Sequence, residues 1–289
     1  MKRTTYNKKI FTEKQIQDIL DMYVNQKTSS VIIGEKYGCC HKVILRLLEE
    51  QNIDHTWKPK RKYVVNETYF DEINTPNKAY ILGFLYADGH NCLDKRTISI
   101  ALQEEDRDIL ERIREEIDSE KPLEFLDYSN KHDGGYTYKN QYRLVIFSKH
   151  MCETLEAIGM MQNKSLKLQF PNIKPELYSH FIRGYFDGDG CIHQRIVSDK
   201  FRPVSLSIVS TESFCKSLVK ISRDHLGIKS NYYDAGCHNG ITKSFSIGSQ
   251  DSIRKFLDWM YQDADLFLKR KHDRYMSYYN LNVNESLIA

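Results

Sequence analysis

Along the first fifty positions apolar residues recur at helical spacing. Ile16, Ile19, Leu20 and Tyr23 fall on one face of a helix opened by Thr12 and Gln15, a T-x-x-Q capping box. After "NQKTSS" a short helix carries Val31, Ile32 and Ile33 and ends near Gly38. "CCHKVILRLLEEQN" then predicts a third helix, with Val43, Ile44, Leu47 and Leu48 inside. Short helix, glycine turn and longer helix is the order of a helix-turn-helix. From Tyr63 the period changes to two. In "TISIAL", Ile98, Ile100 and Leu102 face one way and Thr97, Ser99 and Ala101 the other, as in a half-buried strand. "RDILERIREEI" is helical, "LEFLDYSN" and "QYRLVIFS" flank the turn "KHDGG", and "MCETLEAIGM" is helical again. The order returns after Phe181 as "SLSIVS", "SFCKSLVKISRDHLG", "SNYYDAG", "KSFSIGS" and "SIRKFLDWMY".

The chain therefore reads as an internal duplication. "YILGFLYADG" (Tyr80 to Gly89) aligns with "FIRGYFDGDG" (Phe181 to Gly190) at an offset of 101 positions. Each unit runs helix, hairpin, helix, hairpin, helix. The predicted fold class is α+β, a pseudo-twofold duplicated αββαββα core behind a small three-helix domain. The expected boundaries are 1–53 for the head, 54–63 for a basic linker, 64–175 for the first repeat and 176–289 for the second. Gly83 and Ala87, like Gly184 and Gly188, are four apart and share a helix face. Such a bare face lets two helices cross backbone to backbone. Their C-terminal ends would then bring Asp88 and Asp189 together.

Acids at a helix C-terminus are unfavourable by about 0.3–1 kcal/mol each, and two close carboxylates push one pKa up. A cation reverses both penalties. Mg²⁺ suits the place, because it takes few carboxylates and completes its shell with water and phosphate oxygens. The aspartates of "DGDG" are accordingly read as cation-binding groups at the junction. A calcium loop does not fit, since Cys191 occupies the next ligand slot after Asp187 and Asp189.

Composition refines this picture. The net charge of +3 is unevenly spread, at +6 over residues 1–62, −6 over 63–171 and +3 over 172–289. A basic head suits a nucleic-acid contact. Seven cysteines without a C-x-x-C pair read as reduced thiols of an intracellular protein. No apolar run approaches the ~20 residues of a membrane span, and "MKRTTYNKKI" lacks the apolar core of a signal peptide.

"ILGFLYADG" (Ile81–Gly89) and "IRGYFDGDG" (Ile182–Gly190) resemble the two motifs of single-chain LAGLIDADG homing endonucleases. "NKSLKLQFP" and "LFLKRKHDRY" are similar to family segments that follow each repeat, so the resemblance spans roughly residues 64–280. It implies a monomer with a DNA-binding β-saddle that cuts both strands of a long duplex target across the minor groove, leaving short 3′ overhangs. It implies two or three divalent ions, Mg²⁺ or Mn²⁺, held by Asp88 and Asp189 with Gly89 and Gly190 beside them. Lys164 and Lys271 match the family's lysines near the centre, and Gln103 is a candidate next to the metals. The first motif departs from the pattern by placing Tyr86 where the second has Asp187.

A saddle of such strands can lie in a major groove and read base edges. Candidate DNA contacts there are Thr97, Ser99, Arg143, Arg195, Arg202, Ser205, Ser207 and Lys243. In the head they are Cys40, His41, Lys42 and Arg46, with Lys58, Lys60, Arg61 and Lys62 in the linker. Two other functions share the scaffold. One is an intron maturase with RNA as partner, and the other is a non-catalytic transcription regulator. An intein-type domain would need splice-junction residues that "MKRTT" and "ESLIA" do not offer.

Overall fold

The computed structural model describes residues 11–55, 63–133, 136–197, 200–236 and 240–285. The chain divides into two compact units, residues 1–62 and 63–289.

The described residues of the first unit form three helices, α1 (Glu13–Val24), α2 (Ser30–Lys36) and α3 (His41–Glu50). The capping box at α1 forms: Gln15 N–H donates to Thr12 Oγ1 at 3.3 Å, and Thr12 N–H to Gln15 Oε1 at 3.0 Å. Ile19, Met22, Tyr23, Ile33, Ile44, Leu47 and Leu48 make a small core. Of the three aliphatics that α2 carries, Val31 and Ile32 are exposed. Seven helical residues have room for one inward stripe, and Ile33 takes it.

The second unit is the duplication. Its first repeat runs α4 (Pro76–Asp88), β1 (His90–Cys92), β2 (Thr97–Gln103), α5 (Arg107–Glu116), β3 (Glu124–Leu126), β4 (His132–Asp133), β5 (Tyr136–Thr137), β6 (Gln141–Phe147) and α6 (Lys149–Ile158). Its second runs α7 (Tyr178–Asp189), β7 (Gly190–Val197), β8 (Lys200–Thr211), α8 (Glu212–Leu226), β9 (Asn231–Asp234), β10 (Thr242–Ile247), α9 (Gln250–Tyr261) and α10 (Lys269–Glu285). Each repeat builds an antiparallel four-stranded sheet of one topology, β1-β2-β6-β3 and β7-β8-β10-β9. The first register pairs His90 with Ser99 and the second Gly190 with Ile208. Position 100 in the first repeat therefore corresponds to 208 in the second. The short β4–β5 pair of the first repeat has no counterpart among the described residues of the second.

Sequence explains why α4 and α7 lie at the centre. Thr75 caps α4, its Oγ1 accepting from Lys78 N–H at 3.3 Å, and Pro76 occupies the first turn, where its missing donor costs nothing. Ala79 to Tyr86 of α4 are buried on every side, as are Phe181 to Asp187 of α7. Helices buried all round belong inside a core. The four small residues lie where α4 and α7 meet. A Cβ at Gly83 would stand 2.0 Å from Phe181 O, and one at Gly184 would stand 2.0 Å from Tyr80 O. At Gly188 it would stand 2.3 Å from Ala87 Cβ. The backbones touch along this seam, and both sheets hang from it. Ile98, Ile100, Leu102, Leu144 and Ile146 face inward from one sheet, and Leu206, Ile208, Phe245 and Ile247 from the other. Among the described residues no helix is long and apolar enough to cross a membrane.

Candidate functional site

Asp88 and Asp189 are the last residues of α4 and α7, so the glycine seam carries both to one place. Asp88 Oδ2 lies 3.0 Å from where a Cβ on Gly188 would stand, tight against the final turn of the other helix. Each aspartate keeps a solvent-exposed edge while protein crowds its remaining sides. That burial, with the charge of Asp189, pushes the Asp88 pKa up to about 6. Burial raises Asp189 as well.

Lys164 and Lys271 answer these charges symmetrically. Lys164 Nζ donates to the carbonyls of Ala87 (3.1 Å) and Gly89 (2.5 Å) at the end of α4. Lys271 Nζ donates to Phe186 (2.6 Å), Gly188 (3.3 Å) and Gly190 (2.7 Å) at the end of α7. An ammonium at a helix C-terminus offsets the unpaired carbonyls, worth up to ~2 kcal/mol in partly buried geometry. The influence is crossed. Asp88 feels Lys271 more strongly than Lys164, and Asp189 feels Lys164 more strongly than Lys271. Burial lowers Lys271 to about 8 and lowers Lys164 as well, with the aspartates pulling the other way.

Two expectations change here. The carbonyls of Gly89 and Gly190 are turned to lysine ammonium groups, so a cation there would compete with a cation already bound. Asp187 is not at the surface at all. Fully buried, it accepts from Tyr80 Oη at 2.9 Å, Tyr261 Oη at 2.8 Å and Leu268 N–H at 2.7 Å. An α-helix turns ~100° per residue, so residues two apart point nearly opposite ways. With Asp189 at the open end, Asp187 had to face the core. Tyr86, its counterpart, donates from Oη to Ile158 O at 2.8 Å.

Residues 176–260 match the family model described as a LAGLIDADG-like domain. The match lies within the second repeat, from just before α7 to the end of α9. Among solved structures, the full-length DUF199/WhiA of Thermatoga maritima is 17% identical over 77% of this chain and 70% of its own, with a TM-score of 0.43. The I-LtrWI LAGLIDADG homing endonuclease bound to target DNA is 12% identical over 76% and 92%, with a TM-score of 0.46. The LAGLIDADG meganuclease I-AabMI bound to uncleaved DNA is 14% identical over 74% and 92%, with a TM-score of 0.45. No curated protein sequence matches this chain.

The outer sheet face of the second repeat, turned away from its helices, is rich in small hydroxyls. Ser205 and Ser207 stand there, and Ser207 Oγ lies 3.0 Å from His193 Nε2. Thr97 and Ser99 take the corresponding face of the first sheet. Arg143 is on that face too, but its Nε and Nη2 are already bonded to Glu124 Oε2 at 3.0 and 2.6 Å. A phosphate would have to displace Glu124. Lys243 differs from expectation. It shares parity with the buried Phe245 and Ile247, so it leaves from the inner face, and its Nζ lies 3.5 Å from Asp234 Oδ2 at the sheet edge.

Gln103 also departs from expectation. The residue paired with the start of β1 is Ser99, and Gln103 is four positions beyond it, roughly 13 Å along the strand. It lines an open cavity of about 490 Å³ with Glu104, Ser129, Tyr138 and Asn140. The side chains of Arg195 and Arg202, and all of Lys58, Lys60, Arg61 and Lys62, lie outside the described residues. In the head, Cys40, His41, Lys42 and Arg46 are exposed at the start and on one side of α3. Sequence reasoning missed His90 and Cys191, which stand exposed two positions after each aspartate. Reading each motif one residue past its final glycine would have found them. It also missed Arg183, which is fully buried and donates to Leu266 O (3.0 Å) and Met260 O (2.7 Å).

Among the described residues no three His, Cys, Asp or Glu side chains converge on one point. Asp88 and Asp189 supply two exposed carboxylates with raised pKa values. That set does not make a closed protein cage for a metal. It does fit a Mg²⁺-type ion that draws its other oxygens from water and phosphate.

Proposed function

We propose that this protein is a divalent-metal-dependent endonuclease acting on duplex DNA, a homing endonuclease of the LAGLIDADG type. The observation that carries the reading is the delivery of Asp88 and Asp189 to one open site by two helices in backbone contact, with a lysine at each helix end. Asp88 and Asp189 would hold Mg²⁺ or Mn²⁺. Such an ion supplies charge neutralisation for a phosphodiester and a water of lowered pKa. Lys164 and Lys271 keep the carboxylates charged and add positive potential where negative charge builds on phosphate. Their ammonium groups are anchored on carbonyls, so they pre-exist in position and need no reorganisation. The two outer sheet faces would lie along the groove, with Thr97, Ser99, Ser205 and Ser207 near base edges. The head, read as a helix-turn-helix, would extend the footprint through His41, Lys42 and Arg46.

One observation favours a second reading, a non-catalytic DNA-binding regulator. Two ammonium groups, anchored on carbonyls at the helix ends, already oppose the charge of the two carboxylates without a metal. Selection of cleaved sites from a randomised duplex library with Mg²⁺ separates the two. Cleavage that disappears in Asp88→Asn and Asp189→Asn supports the endonuclease. Metal-independent binding with no cut product supports the regulator. Filter binding to intron RNA beside duplex DNA tests the maturase alternative.

A further inference from the structure

We propose that Asp187 is a positioning residue that docks the chain segment carrying Lys271 onto the end of α7. Leu268 is the residue from which α10 departs, and its carbonyl accepts from the N–H groups of Lys271 and His272, each at 3.0 Å. Its own N–H is taken by Asp187 Oδ2 at 2.7 Å. Three residues later, Lys271 Nζ returns to the backbone on either side of Asp187, at Phe186, Gly188 and Gly190. The two side chains thus form a reciprocal clamp. The carboxylate of α7 holds the start of α10, and the ammonium of α10 holds the end of α7. Tyr80 from the first repeat and Tyr261 from α9 donate two further hydrogen bonds to Asp187, so the clamp is tied to the helix seam. This also explains why a carboxylate is tolerated in the last turn of α7. It faces the N-terminal end of another helix and a lysine, both of which favour negative charge.

The first repeat offers an internal comparison. Tyr86 stands in the place of Asp187 and grips Ile158 O, but Lys164 follows six residues later rather than three. The grip is neutral and the tether longer. Consistent with that, Lys271 is 8% exposed whereas Lys164 is half-buried.

The test is residue-resolved reductive methylation of the full chain, read by mass spectrometry, with the exposed Lys149 as reference. In the unaltered protein, Lys271 labels far more slowly than Lys149. In Asp187→Asn, Lys271 labelling rises about tenfold, the effect of losing one charge-assisted hydrogen bond on local opening, while Lys164 stays within about twofold. Tyr86→Phe raises Lys164 and leaves Lys271 protected. Equal release of both lysines in Asp187→Asn, or no release of Lys271, overturns the proposal. A measurement without any variant guards against loss of folding. The Leu268 amide must exchange with deuterium as slowly as the core amides of α7, and fast exchange refutes the clamp. A cleavage arm rests on the endonuclease reading. On a selected target, Asp187→Asn accumulates a nick in one strand only, and equal slowing of both strands counts against the clamp. If the unaltered protein cuts nothing, the endonuclease reading fails while the labelling result still decides the clamp.

Discussion

Replacing Gly184 with alanine tests the seam on which the site depends. The added Cβ would stand 2.0 Å from Tyr80 O and 2.8 Å from Phe84 N, whereas ordinary contact begins at 3.4 Å. The obstacles are backbone atoms of a helix buried all round, so no side chain can rotate away. The two helices must part by about 1.4 Å at this point. Alanine returns about 1 kcal/mol of helix propensity over glycine. Overpacking of a tight core costs about 1–3 kcal/mol, and the obstruction by backbone puts this site at the top of that range, so a net destabilisation of about 2 kcal/mol is expected. The assay is urea unfolding followed by Trp259 fluorescence in a Trp57→Phe background, so that the second unit alone reports. Gly248→Ala is the control, because a Cβ there meets nothing within 4 Å. Parting the helices also parts the aspartates, and a displacement of about 1 Å at a reacting centre costs on the order of a hundredfold in rate. A Gly184→Ala midpoint equal to that of the control would refute the backbone-contact argument.

Three other outcomes follow from the geometry. Crowding and Asp189 raise Asp88 to about 6, so between roughly pH 4 and 6 the folded state keeps a proton that the unfolded chain has released. Charging the group in the fold is therefore a cost, fully present above pH 6 and absent below pH 4. Asp88→Asn should raise the urea midpoint at pH 8 and leave it unchanged at pH 4, and a fall at pH 8 would contradict the assignment. Arg183→Met strands the Leu266 and Met260 carbonyls in the core and should cost about 3–5 kcal/mol by chemical unfolding, with a loss under 1 kcal/mol refuting it. Thr12→Ala removes the capping box of α1 and should cost about 1 kcal/mol, seen as faster hydrogen exchange through Ile16 to Leu20 with no change in α4 or α7.

Much of this arrangement was legible in the chain because its rules are local and periodic. "TISIAL" alternates, and its strand forms with Ile98, Ile100 and Leu102 inward. Small residues four apart meet at the seam in both helices. Some signals were present but unread. Lys243 shares parity with Phe245 and Ile247, which is enough to send it inward. Asp187 and Asp189 are two apart on a helix, which is enough to split them between core and surface. Arg143 lies on the expected face, but its partner Glu124 comes from a different strand and no spacing rule joins them.

The sequence by itself determined the duplication, the element order and which residues end the two central helices, since these follow from backbone period and the bareness of glycine. Only the tertiary structure decided what those helix ends meet. Lys164 and Lys271 reach their carbonyls across 75 and 81 positions of chain, and Asp187 finds Tyr80 across 107. Partners so far apart are set by how two sheets and a glycine seam fold together. A carboxylate's role follows from the atoms around it, and here packing gave one aspartate to the core and left its neighbour two residues on facing solvent.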